Sequence, residues 1–302
     1  MKFLLFSDLH HVPGVFMGGT VEDLRTLQQR ALEEQCEFMI HAGDFCHGPS
    51  KYPEMVQTYD DSPVPSYHCL GNHDSDTTPY PQLLEHYRMP GGYYYFDQSG
   101  YRMIVCDTNY LKRPEGYVNY SGMSYYKFAD CRDYVPPKEL GWLERTIDSS
   151  PYPCILISHA SFERPDGVKN RAQVRQILTR ANRKKKHSVL MCINGHYHRD
   201  HVSLIDGILF MEVNSASYDW LPKSHGCYPQ RLCQQISHLN HTLVYDRVLS
   251  AVVTVEGTRI TVQGTKGDYF LNVTPQMTGN NPNDAAGRPI SPHIRSFSLQ
   301  LP

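Results

Sequence analysis

Aspartate, asparagine and histidine recur along this chain in five short groups: Asp8-Leu9-His10, Gly43-Asp44, Gly71-Asn72-His73-Asp74, Ser158-His159 and Gly195-His196-Tyr197-His198. Oxygen and imidazole donors suit divalent Mn, Fe, Zn or Ni, whereas a soft thiolate site would need cysteine in these groups, and none is there. Asp8 and His10 stand two apart, so in an extended segment both side chains would leave one face and hold one ion between them. Asp44, with two carboxylate oxygens, is the natural bridge to a second ion. Asn72 offers a neutral amide oxygen and His159 one imidazole. His196 and His198 repeat the alternate spacing, so each can serve a different ion. The expectation is a two-ion centre with seven ligands: Asp8, His10, Asp44, Asn72, His159, His196 and His198.

Taken singly, each group has a plainer reading. Asp-Leu-His can open a loop, Gly43-Asp44 is an ordinary turn dipeptide, and Gly71-Asn72 tolerates positive φ. What favours a site is that all five follow apolar runs that read as strands: Lys2-Ser7, Phe38-His41, Ser66-Leu70, Pro153-Ile157 and Val189-Ile193. Carboxyl ends of core strands are where α/β proteins place ligands.

The elements between these strands read as helices. Thr20 is an N-cap before Leu24, Leu27, Ala31 and Leu32 on one helical face, and further helices are expected over Pro79 to Tyr87, Lys138 to Ile147 and Asn170 to Ala181. Tyr93-Phe96 with Tyr101-Val105 reads as a hairpin. Asp206-Gly207 and Glu256-Gly257 mark two more, His201-Ile205 with Ile208-Val213 and Val248-Val255 with Thr258-Val262. Consecutive hairpins predict a second sheet packed on the first. From Thr274 the chain is rich in Pro, Asn and Gly, which divides it into a domain over 1–273 and a surface-wrapping tail over 274–302.

With those motifs and their order, the chain resembles the calcineurin-like metallophosphoesterase family, whose pattern is D-x-H, G-D, G-N-H-[DE], H and G-H-x-H. The resemblance covers roughly the first two thirds of the chain and includes the Leu140-Gly141-Trp142-Leu143 helix before the fourth motif. It implies an α/β fold, a four-layer αββα sandwich of two mixed β-sheets flanked by helices. It also implies one ion held by Asp8, His10, Asp44 and His198 and another by Asp44, Asn72, His159 and His196, with His73 a catalytic non-ligand oriented by Asp74. Phe45, Cys46 and His47 follow Asp44, with no metal-binding tyrosine of the purple acid phosphatase kind.

Two divalent ions against two carboxylates and one bridging hydroxide leave a net positive centre, which attracts a phosphate ester. Metal coordination lowers the pKa of water from about 15.7 to near 7, supplying the nucleophile and clamping the oxygens of an in-line displacement. The departing alkoxide needs a proton, and His73 suits that role at neutral pH. The expected activity is hydrolysis of a small-molecule phosphodiester, nucleotides included, with Mn or Fe as the first choice of metal and Zn or Ni as alternatives. A phosphomonoesterase is the second reading, and a non-catalytic interaction scaffold the reading from another class.

Substrate choice is assigned to two aromatic stretches. Asn109 to Pro136 carries Tyr110, Tyr117, Tyr120, Tyr125 and Tyr126, and Asn214 to Pro229 carries Tyr218, Trp220, His225 and Tyr228. His47 reads as a support or substrate contact, and His11, His41 and His68 as structural. His201 has no vacant ligand position to fill. The Arg180-to-Lys186 cations read as a solvated helix end complementing its dipole.

The 302 residues, 40% hydrophobic and 20% charged, have a globular balance, and a net charge of −2 gives no general attraction to nucleic acid or anionic membranes. Residues Met1 to Phe6 are too short an apolar stretch for a signal peptide, and no stretch reaches transmembrane length. Nine cysteines, odd in number and scattered, read as reduced residues of a cytoplasmic protein. Thiol titration of freshly purified, denatured and unreduced protein is therefore expected to find all nine free.

Overall fold

Along Lys2–Phe6, alternate residues face two different cores, which accounts for a strand that is apolar without interruption. Phe3 and Leu5 join a 26-residue cluster with Met103, Val105, Ile155, Ile157, Met191, Ile193 and Val253, whereas Leu4 and Phe6 pack with Leu24, Leu27, Met55 and Tyr59. A third cluster sets Ile104, Leu156, Cys192 and Phe210 against Leu143, Ile147, Val174 and Leu178. The first cluster lies between two sheets, and the other two lie between a sheet and its helices, so the layers run helix, sheet, sheet, helix.

The computed structural model describes residues 1–302. One six-stranded sheet runs in the order Phe297–Gln300, Arg259–Gly264, Ala251–Glu256, Lys2–Phe6, Phe38–His41 and Ser66–Tyr67. The other runs His201–Ile205, Ile208–Glu212, Val189–Asn194, Cys154–Ser158, Tyr101–Val105 and Tyr94–Gln98. Both are mixed: the second has parallel pairs at its centre and an antiparallel pair at each edge, whereas in the first Lys2–Phe6, Phe38–His41 and Ser66–Tyr67 run parallel on one side and the remaining pairs are antiparallel. This is the expected αββα sandwich. The two later hairpins do not together form a second sheet as expected: Asp206-Gly207 turns in one sheet and Glu256-Gly257 in the other.

The helices are Val21–Glu33, Pro53–Asp60 and Tyr80–His86 on one side, with Pro137–Asp148 and Arg171–Lys184 covering the second sheet. In the first, Leu24, Leu27 and Ala31 are buried, but Leu32 is 45% exposed, because one residue past Ala31 is a turn of about 100° away from the buried stripe. No helix is long and apolar enough to cross a membrane.

Residues 274–302 end in the Phe297–Gln300 strand, which extends the first sheet by pairing with Arg259–Val262. On the way, the buried Arg288 meets Glu212 of the second sheet at 2.5 Å and Glu163 at 2.6 Å, and Arg295 meets Asp200 at 2.9 Å. The segment expected to wrap the surface thus touches both sheets.

Thr20 accepts from the Asp23 amide at 3.1 Å while Asp23 accepts from the Thr20 amide at 2.8 Å, a reciprocal cap on the first helix. Thr20→Ala is expected to cost ~1 kcal/mol in urea or thermal unfolding, with the site unaffected.

Candidate metal centre

Five of the seven expected ligands sit in the left-handed backbone region, not in extended segments: Asp8 (φ 53°), His10 (φ 54°), Asp44 (φ 51°), His196 (φ 74°) and His198 (φ 53°). The alternate spacing therefore brings side chains together through tight turns just past the strands. Non-glycine residues there store of order 1–3 kcal/mol each, and such strain concentrates at functional sites. Backbone bonds between the loops hold them, with the Asp8 amide on Gly43 O at 3.0 Å and the His10 amide on Asp44 O at 2.9 Å. Glycine is required where the loops touch. A Cβ on Gly71 would collide with the Asp44 amide nitrogen and carboxylate, and one on Gly195 would collide with the Ser7 hydroxyl.

All seven expected ligands come together, in two groups. In the first, His10 Nε2 lies 3.0 Å from His198 Nε2 and 3.7 Å from Asp8 Oδ1, and His198 Nε2 lies 3.4 Å from that same oxygen. In the second, His159 Nε2 lies 3.2 Å from Asp44 Oδ2, 3.1 Å from Asn72 Oδ1 and 3.1 Å from His196 Nδ1. Asp44 stands between them, its Oδ2 also 3.8 Å from His10 Nε2, while its Oδ1 accepts the His73 amide at 2.7 Å.

The protons show what this arrangement lacks. His159 Nδ1 donates to Ala42 O at 2.8 Å and His198 Nδ1 to Tyr218 O at 2.7 Å, so in their neutral forms both Nε2 atoms carry lone pairs. These lone pairs face carboxylate and amide oxygens that are also acceptors. Asp8 Oδ2 is satisfied by Ser7 Oγ at 2.5 Å and the His196 amide at 2.9 Å, but Asp8 Oδ1 is buried with no partner. Buried acceptors aimed at one another call for cations, and the two donor groups, Asp8-His10-His198 and Asp44-His159-His196, each fit a divalent ion. The titrations agree. Burial opposes charge on His159, yet Asp44 beside it raises the imidazole pKa to about 10, a proton taking the place of a metal. Asp44 is itself held well below the usual carboxylate range despite burial, by His159 and His73.

His73 is buried beside this centre, but Asp74 does not orient it. Asp74 accepts instead from the amides of Phe45 at 3.0 Å, Cys46 at 3.2 Å and Gly71 at 2.7 Å and from Tyr87 Oη at 2.7 Å, tying the second-motif loop to the third. The partner of His73 is Asp76, three residues on around a helical turn, with Nδ1 donating to Oδ2 at 2.8 Å. Tyr125 Oη donates to Asp76 Oδ1 at 2.5 Å, and His47 Nδ1 lies 3.1 Å from Oδ2. His47 Nε2 then accepts from His10 Nδ1 at 3.1 Å. One carboxylate thus sets three imidazole tautomers, leaving His10 Nε2 free as a ligand. Asp76 was not singled out in the sequence, where its only signal is the spacing of three from His73.

His41, His68 and Asp60 form a separate chain, at 2.8 and 3.0 Å, away from the ligands, as structural histidines should. His201 pairs with Glu212 in an edge strand. His225 bonds the Thr242 carbonyl at 3.1 Å, and the Tyr228 hydroxyl accepts the Val244 amide at 3.0 Å. Trp220 stacks 6.4 Å from His73 and Tyr126, 59% exposed, lies 6.1 Å from it on the rim.

A two-sheet sandwich with a centre built for two cations at its strand ends defines a binuclear metal-dependent phosphoesterase. A family model for calcineurin-like phosphoesterases matches residues 1–200, and the chain belongs to that family. The family brings two divalent metal ions to such a site and hydrolysis of phosphate esters as its chemistry. Among solved structures, a dimetal phosphatase from Danio rerio superposes with a TM-score of 0.64 at 13% identity, over 100% of this chain and 99% of that one. GAP50, the anchor in the inner membrane complex of Plasmodium, gives 0.54 at 15% identity, over 100% and 89%. PhoD gives 0.53 at 14% identity, over 100% and 70%. At these identities the likeness is one of fold. No curated protein matches.

Asp44→Asn is expected to lose most bound divalent metal by elemental analysis, because it removes the charge both groups share. Asp74→Asn is expected to retain metal better but to lose roughly 1–3 kcal/mol of stability, since an amide NH₂ would then face donors.

Proposed function

We propose that the protein hydrolyses a small-molecule phosphodiester, with Asp8, His10, Asp44 and His198 holding one divalent ion and Asp44, Asn72, His159 and His196 the other. The observation that carries this reading is His73, fixed by Asp76 next to Asp44 yet surplus to both ligand groups. When bound, the two ions supply positive charge for the phosphoryl oxygens and lower the pKa of water toward neutrality.

The chain's own residues do the rest. His73 Nδ1 is bonded to the Asp76 carboxylate at 2.8 Å, which favours the protonated ring and makes the imidazolium the proton donor. As the bond from water oxygen to phosphorus forms, the bond to the alcohol oxygen breaks and that oxygen takes the His73 proton. Water supplies a hydroxyl to phosphorus and its remaining proton restores the imidazolium, giving one alcohol and one phosphomonoester. Trp220 and Tyr126 lie beside His73 on this leaving side.

Mn or Fe is the proposed occupant, since nitrogen and carboxylate donors dominate and no sulfur lines the groups. A reducing compartment, the cytoplasm, is proposed from nine unpaired cysteines, most of them buried. Protein loaded with Mn, Fe, Zn or Ni in turn and screened against mono- and diester panels tests the reading. Hydrolysis of diesters supports it, monoester hydrolysis alone replaces it with the phosphomonoesterase, and no turnover with any metal would sink it.

His73→Ala should lose roughly 10²- to 10⁴-fold in kcat on alkyl esters and less on nitrophenyl esters, whose leaving groups need less protonation, with metal content nearly unchanged. Asp76→Asn should move the same way by a smaller factor.

A further inference from the structure

Two buried arginines close on the turn that carries His196, Tyr197 and His198. The Arg164 guanidinium lies over the Tyr197 ring at 4.1 Å, and Arg199 Nη1 donates to the His198 carbonyl at 2.8 Å. The turn needs holding, because His196 and His198 both have left-handed backbones, which cost free energy unless their surroundings fix them.

Both arginines converge on one carboxylate from the far end of the chain. Asp284 Oδ2 accepts from Arg164 Nη1 at 2.9 Å and lies 3.7 Å from Arg199 Nε, a buried nitrogen with no hydrogen bond of its own. Asp284 is itself fixed in a turn, its Oδ1 accepting the amides of Ala286 at 2.9 Å and Arg288 at 2.8 Å. Arg164 directs its other donors to Asp166, at 2.7 and 2.9 Å, and to Glu212 at 3.1 Å. Glu212 stands opposite Asn194, the last residue of the strand that leads into the turn. A tail that only needed fastening could be tied to any polar side chain on the body. This one is tied to the two arginines that touch residues 197 and 198.

We propose that Asp284 is a positioning residue of the metal centre, acting through Arg164 and Arg199 to hold the Tyr197-His198 turn so that His196 and His198 face their two ligand groups. This rests on His196 and His198 being metal ligands. Two buried arginine nitrogens lie within 3.7 Å of the same Asp284 oxygen, so without its charge they would repel one another at close range and release the turn. Groups that orient ligands without touching the ion change metal affinity by roughly 10- to 100-fold when removed.

In Asp284→Asn the amide oxygen can keep its own turn, while the NH₂ meets Arg164 donor to donor. Mn-loaded protein, equilibrated with rising chelator well below its unfolding temperature and assayed for retained metal by elemental analysis, is the test. Asp284→Asn is expected to release Mn at roughly 10-fold lower chelator than the wild type, and Asp284→Glu to recover part of the difference. Arg164→Lys keeps the charge but not the planar fork, so it should release Mn early too, and it decides the matter if Asp284→Asn does not fold. Ile294→Ala, which loosens the tail within the core between the sheets, should lower the thermal midpoint and leave Mn retention unchanged. Wild-type retention in both Asp284→Asn and Arg164→Lys overturns the proposal. So does an equal loss in Ile294→Ala, which would mean that the tail acts only through overall stability. If the wild type takes up no divalent ion, the ligand assignment has failed and the proposal falls with it.

Discussion

Everything at the strand ends is arranged around one carboxylate, that of Asp44. One oxygen is fixed by the His73 amide, and the other faces His159 from one ligand group and His10 from the other. To stand there, Asp44 adopts a left-handed backbone, and the third-motif loop must pass so close that residue 71 has no side chain. Asp74 makes this approach durable by bonding amides of both loops. The third motif therefore brings Asn72, which faces His159, together with His73 and the clamp that holds the second motif, all within four residues.

A buried anion with acceptors for neighbours is costly unless cations arrive, and here the free protein can only substitute protons. Asp44 beside it raises the pKa of the buried His159, whereas burial and the neighbouring imidazoles His198, His73 and His47 lower that of His10. The same electrostatics favour two divalent ions, and their binding should feed directly into folding stability. Around the ligand groups, a layer of hydrogen bonds settles orientation. Ala42 O and Tyr218 O each take an Nδ1 proton, and Asp76 with His47 takes the third by relay.

Support from outside the first 200 residues matters as much. Tyr218 and Trp220 come from beyond that span, yet they roof His10 and His73. The last residues contribute an edge strand to one sheet and a buried arginine to a glutamate of the other. A centre strung across two sheets needs their relative position fixed, and long-range strands and ion pairs of this kind serve that purpose.

The sequence by itself determined the layered α/β class and pointed to the seven Asp, Asn and His side chains that gather at the strand ends, because residue type and hydrophobic period are local properties that survive being read along a line. It misjudged how the ligands meet: spacing of two suggested extended strands, whereas the loops coil into left-handed turns that only backbone bonds between motifs sustain. It also paired His73 with its neighbour Asp74, although a helical turn carries that aspartate to the facing loop and swings Asp76 into its place. The meeting of Asp284 with Arg164 and Arg199, the relay through His47 and the division of two hairpins between two sheets were decided only by tertiary structure. Each depends on which groups lie opposite one another across segments far apart in the chain, and no local pattern encodes that.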